Sequence, residues 1–170
     1  QWYLFYHHNA FSPDFDKNRS AQIERLYFNE DGTIQEVKPT MRGVGPVKAS
    51  HKVHIDRYSF IDGARIEYLD TTDYFKGWKT VFATAGDCVA FNEVDFGKKA
   101  PKNMIMRVKA AGDAVLEVTL GDIFMEVPVA ECHDWTEVTY PMPAKVKGVQ
   151  DIIVSLQDNA DVEVDWITFN

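Results

Sequence analysis

The sequence predicts an all-β protein organised as a β-sandwich or barrel. Three observations carry that reading. Short segments with apolar residues at every second position recur along the chain, which is the period of a half-buried strand. Gly, Pro, Asn and Asp punctuate them at short intervals, as turns between strands require. No window shows a sustained helical apolar period.

Taken in order, residues 2–8 are aromatic or apolar on both alternating faces, as a strand buried on both sides would be. Residues 9–20 are rich in Asn, Asp, Ser and Pro and read as a loop. Residues 21–29 form a second strand, with Ile23 and Tyr27 in one register and Leu26 and Phe28 in the other. Asp31-Gly32 is a hairpin signal, and residues 33–37 return as a third strand. Three strands with two apolar faces cannot bury themselves and need a partner, either the next domain or a missing one. Gly43, Gly45 and Pro46 mark a linker, which sets domains at 1–44 and 51–170 with the linker at 45–50.

The second domain reads as strands at residues 53–58, 64–69, 80–83, 88–94, 103–109, 114–120, 123–127, 135–140, 152–156 and 162–169. In 103–109, Met104, Met106 and Val108 face in while Arg107 and Lys109 face out. In 114–120, Leu116, Val118 and Leu120 oppose Glu117 and Thr119. In the last strand, Val162, Val164 and Trp166 fall on one face and Glu163 and Asp165 on the other. That strand is expected to close a sandwich by pairing with the first strand of its domain.

Composition narrows the function. With 170 residues, 45% apolar and 13% aromatic, the chain can bury a real core. Its formal net charge of -8 argues against nucleic acid or an anionic membrane as partner, because such binding needs clustered Lys and Arg. A neutral ligand is compatible. There is no apolar run of transmembrane length and no signal-peptide pattern. The chain begins at Gln1 without a methionine, as a processed or cut fragment would. Cys88 and Cys132 form no metal motif. They read as two buried thiols or as a pair, and spacing alone does not choose.

Two stretches resemble known families. Trp2-Tyr3-Leu4-Phe5-Tyr6-His7-His8, followed by Arg19 through Asp31-Gly32-Thr33-Ile34, resembles the end of the catalytic propeller of family 43 glycoside hydrolases, which include β-xylosidases and α-L-arabinofuranosidases. From about His51 onward the chain resembles a family 6 carbohydrate-binding module. The carrying stretches are Gly86-Asp87-Cys88-Val89-Ala90-Phe91, Val94-Asp95-Phe96-Gly97, Val127-Pro128 leading to Trp135, Gly148-Val149-Gln150-Asp151 and Val164-Asp165-Trp166. The resemblance implies a jelly-roll β-sandwich preceded by a short β-propeller remnant, with a secreted or periplasmic location. It also implies plant cell-wall polysaccharide such as xylan or arabinoxylan as ligand, and the remainder of a catalytic propeller as partner. Catalysis is not expected from this chain. Asp14, Asp16, Glu24, Glu30, Asp31 and Glu36 sit in a loop, a turn or strand edges, and none matches the family's catalytic carboxylates, which must flank a glycosidic bond.

Sugar binding of this kind rests on a pyranose C–H face packed on an aromatic face, with hydroxyls met at the rim. Trp135, after the polar run Glu131-Cys132-His133-Asp134, is the first stacking candidate, with a core tryptophan as its alternative. Phe91 stands where many relatives carry Tyr; ordinary core packing is its alternative. Trp78, beside Gly77, reads as a loop aromatic with binding and packing equally open. Glu163 stands at the family's ligand Asn position, and an ionised Glu only accepts hydrogen bonds, so it reads as a changed site or a solvated charge. The resemblance further implies a structural Ca²⁺ tying first and last strands through His54, Asp56 and Asp165. Ca²⁺ takes six to eight oxygen ligands, which makes His54 a poor member. Two solvated acids, or an acid paired with Arg57 or Arg65, are the alternative. His7-His8 adjoin on a strand and point to opposite faces, so they do not share an ion.

Overall fold

The alternating segments become fourteen strands and a single short turn of 3₁₀ helix in the computed structural model, which describes residues 1–9 and 19–170. Most of the loop expected at 9–20, with Asp14 and Asp16, lies outside the described residues. The chain divides into two units, Gln1–Gly45 and Pro46–Asn170.

In the first unit, β1 (Trp2–His8) pairs antiparallel with β2 (Ser20–Leu26), in register from Trp2↔Leu26 to His8↔Ser20. The Asp31-Gly32 turn forms as expected. Gly32 takes φ 84°, its amide donates to the Asn29 carbonyl, and the Thr33 amide donates to Asp31 Oδ1 at 2.9 Å. The expected third strand at 33–37 shrinks to one bridge, Phe28↔Ile34. Trp2, Phe5, Tyr27, Phe28 and Ile34 are all exposed. The propeller assignment of this unit is not shown by a two-stranded ribbon.

The second unit is a sandwich of two sheets. The first sheet runs β11 (Ile123–Val129), β10 (Ala114–Leu120), β13 (Val149–Leu156), β8 (Cys88–Asp95) and β3 (Val47–Lys48), with β5 (Phe60–Asp62) also on β8. The second runs β12 (Cys132–Pro141), β9 (Asn103–Ala110), β14 (Val162–Phe169), β7 (Trp78–Phe82) and β6 (Arg65–Tyr68), with β4 (Val53–His54) on β14. The terminal strand does pair with β4, through Trp166↔His54 and Ile167↔Val53. Every pairing is antiparallel except β3 on β8. β3 and β5 were not expected, and β4 is shorter than the predicted 53–58.

Met104, Met106 and Val108 from β9 meet Leu116, Val118 and Leu120 from β10 and Ile152, Val154 and Leu156 from β13 in one core. Burying each such side chain contributes about 1.5–3 kcal/mol. Two bulges break the alternation. In β8, Phe91 faces Ile152 but Val94 faces Gln150, so Asn92 and Glu93 oppose one residue. Glu93 takes φ 55° there, with its amide bonded to Asp151 Oδ1 at 3.0 Å. In β14, Val164 faces Val108 and Trp166 faces Arg107, leaving Asp165 as the extra residue. The inward set is therefore Val162, Val164, Ile167 and Phe169. Trp166 leaves the inter-sheet core, contrary to strict alternation, and Lys52 Nζ sits 4.0 Å from its ring centroid.

Candidate functional site

Phe91 does not offer a stacking face. It is 2% exposed and packed in the core, because its position in β8 precedes the bulge and points between the sheets. Trp78 is not a loop residue but the first residue of β7, half-buried and directly opposite Tyr68 on β6. Cross-strand aromatic pairs of this kind stack. The two rings lie 4.1 Å apart at 23°, and Tyr74 stacks on Tyr68 at 4.3 Å and 29°. Tyr74 is 61% exposed, and Phe75 beside it is fully exposed.

The loop holding these rings is internally braced. Lys76 Nζ donates to Asp70 Oδ2 at 2.6 Å. Asp70 Oδ1 accepts from the Thr72 amide and hydroxyl, and Asp73 Oδ1 accepts from the Phe75 amide at 3.2 Å. The Lys76 hydrogen bond, with those from Thr72, holds the Asp70 carboxyl well below the usual carboxylate range. Tyr68, Tyr74 and Phe75 were not singled out in the sequence. The available signal was an aromatic on each side of the loop that joins β6 to β7.

Glu163 points out from the second sheet into a charged cavity of about 430 Å³, lined also by Arg65, Glu67, Lys109, His133 and Asp161. Lys79 Nζ lies 2.8 Å from Glu163 Oε1 and 3.9 Å from Glu67 Oε2, and Lys109 Nζ lies 3.8 Å from Glu163 Oε2. The Glu163 carboxylate is thus matched by lysines.

Trp135 lies in the irregular stretch of β12 between Cys132 and Thr136. It is half-buried, with the Arg107 guanidinium carbon 4.9 Å from its ring centroid. That guanidinium also hydrogen-bonds Asp165 Oδ2 through Nη1. His54 Nδ1 lies 3.5 Å from Asp165 Oδ1. Asp56 is buried, with Arg57 Nε 3.1 Å from its Oδ2. Burial works to raise the Asp165 carboxyl, but the hydrogen bonds from His54 and Arg107 outweigh it and its pKa falls below the ordinary value. The bond to Asp165 raises the His54 imidazole against the opposing effect of burial. Burial pushes the Asp56 carboxyl up, and Arg57 offsets this only in part.

These three residues do not fit a Ca²⁺ site. Both carboxylates already face arginines, and His54 offers nitrogen where calcium needs oxygen. Among the described residues no group of three His, Cys, Asp or Glu is placed to hold an ion. Cys88 and Cys132 are free thiols on opposite sheets. In the first unit, Glu24 accepts from the Thr40 amide and hydroxyl at 2.7 Å, and Asp31 is committed to its turn.

Comparison with known proteins follows the same geometry. Residues 58–170 match the family model described as carbohydrate binding module (family 6). No curated protein sequence matches the chain. A glycoside hydrolase family 43 arabinoxylan arabinofuranohydrolase from Bacillus subtilis, in complex with cellotetraose, superposes at a TM-score of 0.68 and 20% identity, over 99% of this chain and 38% of that one. The present chain therefore spans well under half of that enzyme. CsCBM6-3 from Clostridium stercorarium, in complex with cellobiose, superposes at 0.64 and 19% identity over 74% of this chain and 97% of its own. A family 6 carbohydrate-binding module from Clostridium cellulolyticum, in complex with xylose, gives 0.63 and 22% over 73% and 99%.

Proposed function

From the premise that the chain belongs to the family 6 carbohydrate-binding modules, we propose that it is the non-catalytic binding module of a secreted plant-polysaccharide-degrading glycoside hydrolase. It holds xylan- or arabinoxylan-type chains by aromatic stacking. The observation that carries this reading is the braced stack of Trp78, Tyr68 and Tyr74, whose outermost ring is open to solvent. A pyranose C–H face fits such a ring, and a loop already held by its own hydrogen bonds loses little freedom on binding. Asp70, Asp73 and Lys76 at the loop supply hydroxyl partners. Trp135 with Arg107 is the second aromatic candidate, and Glu163 with its lysines a polar one.

The first unit is then the end of a family 43 catalytic propeller, packed in the parent enzyme on the rest of it. The superposition over 99% of this chain and the exposed apolar side chains of the ribbon support that reading. A second reading, a structural accessory sandwich that binds no sugar, is favoured by the burial of Phe91 and the ion-paired state of Glu163.

Titration calorimetry with xylo-, arabinoxylo- and cello-oligosaccharides separates the two. Binding to the xylan-type probes that weakens about tenfold or more in Tyr74→Ala or Trp78→Ala supports the stacking site. Loss in Trp135→Ala alone moves the site to β12. Absence of heat with every glycan leaves the accessory sandwich.

A further inference from the structure

At the end of the sandwich where β14 stops, the far end of that strand from Glu163, lies a cavity of about 520 Å³. Its size falls in the range of about 300–1,000 Å³ usual for small-molecule sites. Its floor is apolar. Phe96 and Phe169, both buried, meet edge to face at 4.9 Å, and Ala100 and Pro101 add to the lining. Its rim is cationic, with Lys48, Lys99 and Lys102 all lining it and all exposed. Among the described residues none of these lysines has an ion-pair partner, in contrast to Lys79 and Lys109, which both face Glu163. Asp95 is the one acidic residue lining the cavity, and its Oδ1 is committed to the Gly97 amide at 2.8 Å.

The cavity is preformed. The Phe96 amide donates to the Gly148 carbonyl at 2.7 Å, that of Gly148 to Gly97 at 2.8 Å, that of Met142 to Lys102 at 2.8 Å and that of Phe169 to Ala49 at 3.0 Å. A chain of net charge -8 therefore gathers three unpaired cations round one apolar hollow. Such an arrangement selects an anion that also has an apolar face. Lysines act as flexible point charges and do not supply the planar, bidentate fork by which Arg grips carboxylate or phosphate, so the apolar floor must fix the ligand's orientation.

We propose that this cavity binds a hexuronate residue of an acidic polysaccharide. The sugar's C–H face rests on the part-exposed Ala100 and Pro101, beside the buried Phe96–Phe169 pair, and its carboxylate lies among Lys48, Lys99 and Lys102. The proposal rests on the carbohydrate-binding reading but concerns a different site from the aromatic loop.

Calorimetry of the full chain with trigalacturonate, glucuronate and neutral xylotriose, at low and high salt, tests it. Trigalacturonate should bind, weaken at high salt, and weaken about two- to fivefold in each of Lys48→Gln, Lys99→Gln and Lys102→Gln, as exposed charge pairs do. Tyr74→Ala should leave that binding unchanged. No binding of either acidic probe, or acidic binding indifferent to all three lysine variants, overturns the proposal even if xylotriose binds at the loop. Absence of binding by all three sugars overturns it together with the carbohydrate-binding reading.

Discussion

At the scale of single residues, His54 shows how a side chain's neighbours decide its role. Its type and place near the start of the sandwich were visible in the sequence, but Arg107 as the third party was not, because the two lie on strands brought together only by folding. The groups around it are Asp165, Asp56 and Arg57, and the consequence is a pH dependence. The folded pKa of His54 is raised, so its contribution is full below the unfolded value of about 6.5 and is lost as pH rises through the folded value. Asp165, with a lowered folded pKa, contributes above its unfolded value of about 3.9 and loses that as pH falls. Asp56, raised by burial, acts in the opposite sense to Asp165, so the acid limb is a difference and the neutral limb is the cleaner test. Melting temperature followed across pH should fall for the wild type through neutrality, and His54→Gln should flatten that fall. Parallel curves for the two proteins between mildly acidic and mildly alkaline pH would show that the imidazole is not coupled to folding.

At the scale of elements, period-two alternation was sufficient to place β9 and β10 and to choose their inward faces. It was insufficient wherever a strand changes face midway. Beyond the bulge at Asp165, Ile167 and Phe169 turn inward and Trp166 turns out, and nothing in Val164-Asp165-Trp166 announces an extra residue. Phe91 has the same lesson in reverse, since a residue type suited to stacking was placed inside by its register. The bulge also brings Asp165 under Arg107, joining β9 to the strand that pairs with β4. Arg107→Gln removes a charged hydrogen bond from a nearly buried carboxylate. Arg107 keeps partial solvent contact, so the loss should resemble a charge-assisted hydrogen bond, about 2 kcal/mol, rather than the 3–5 kcal/mol of a fully buried pair. Thermal denaturation should show a drop of roughly 5–10 °C. Because the protein's own cations occupy this place, adding Ca²⁺ or a chelator should leave the wild-type melting temperature unchanged. A chelator-induced fall would restore the metal and displace Arg107 from the argument.

At the scale of the whole molecule, the two units differ in what their sequences can bury. Unit Pro46–Asn170 holds the entire inter-sheet core and the whole family match, residues 58–170. Unit Gln1–Gly45 offers a two-stranded ribbon with exposed Trp2, Phe5 and Phe28, and an isolated pair of strands is marginal in water at best. The sequence announced this difference, since aromatic residues on both faces of 2–8 demand cover from both sides, but it could not say what supplies that cover. A fragment of residues 46–170 should therefore fold by itself, melt cooperatively within a few degrees of the full chain, and keep its sugar titrations. It should also bind less of a hydrophobic dye than the full chain, because the dye's main apolar target is gone. A peptide of residues 1–45 should show no cooperative transition. A fragment 46–170 that fails to fold, or that melts far below the full chain, would mean that the ribbon belongs to the sandwich's own stability. The reading of the first unit as the edge of a separate propeller would then be lost.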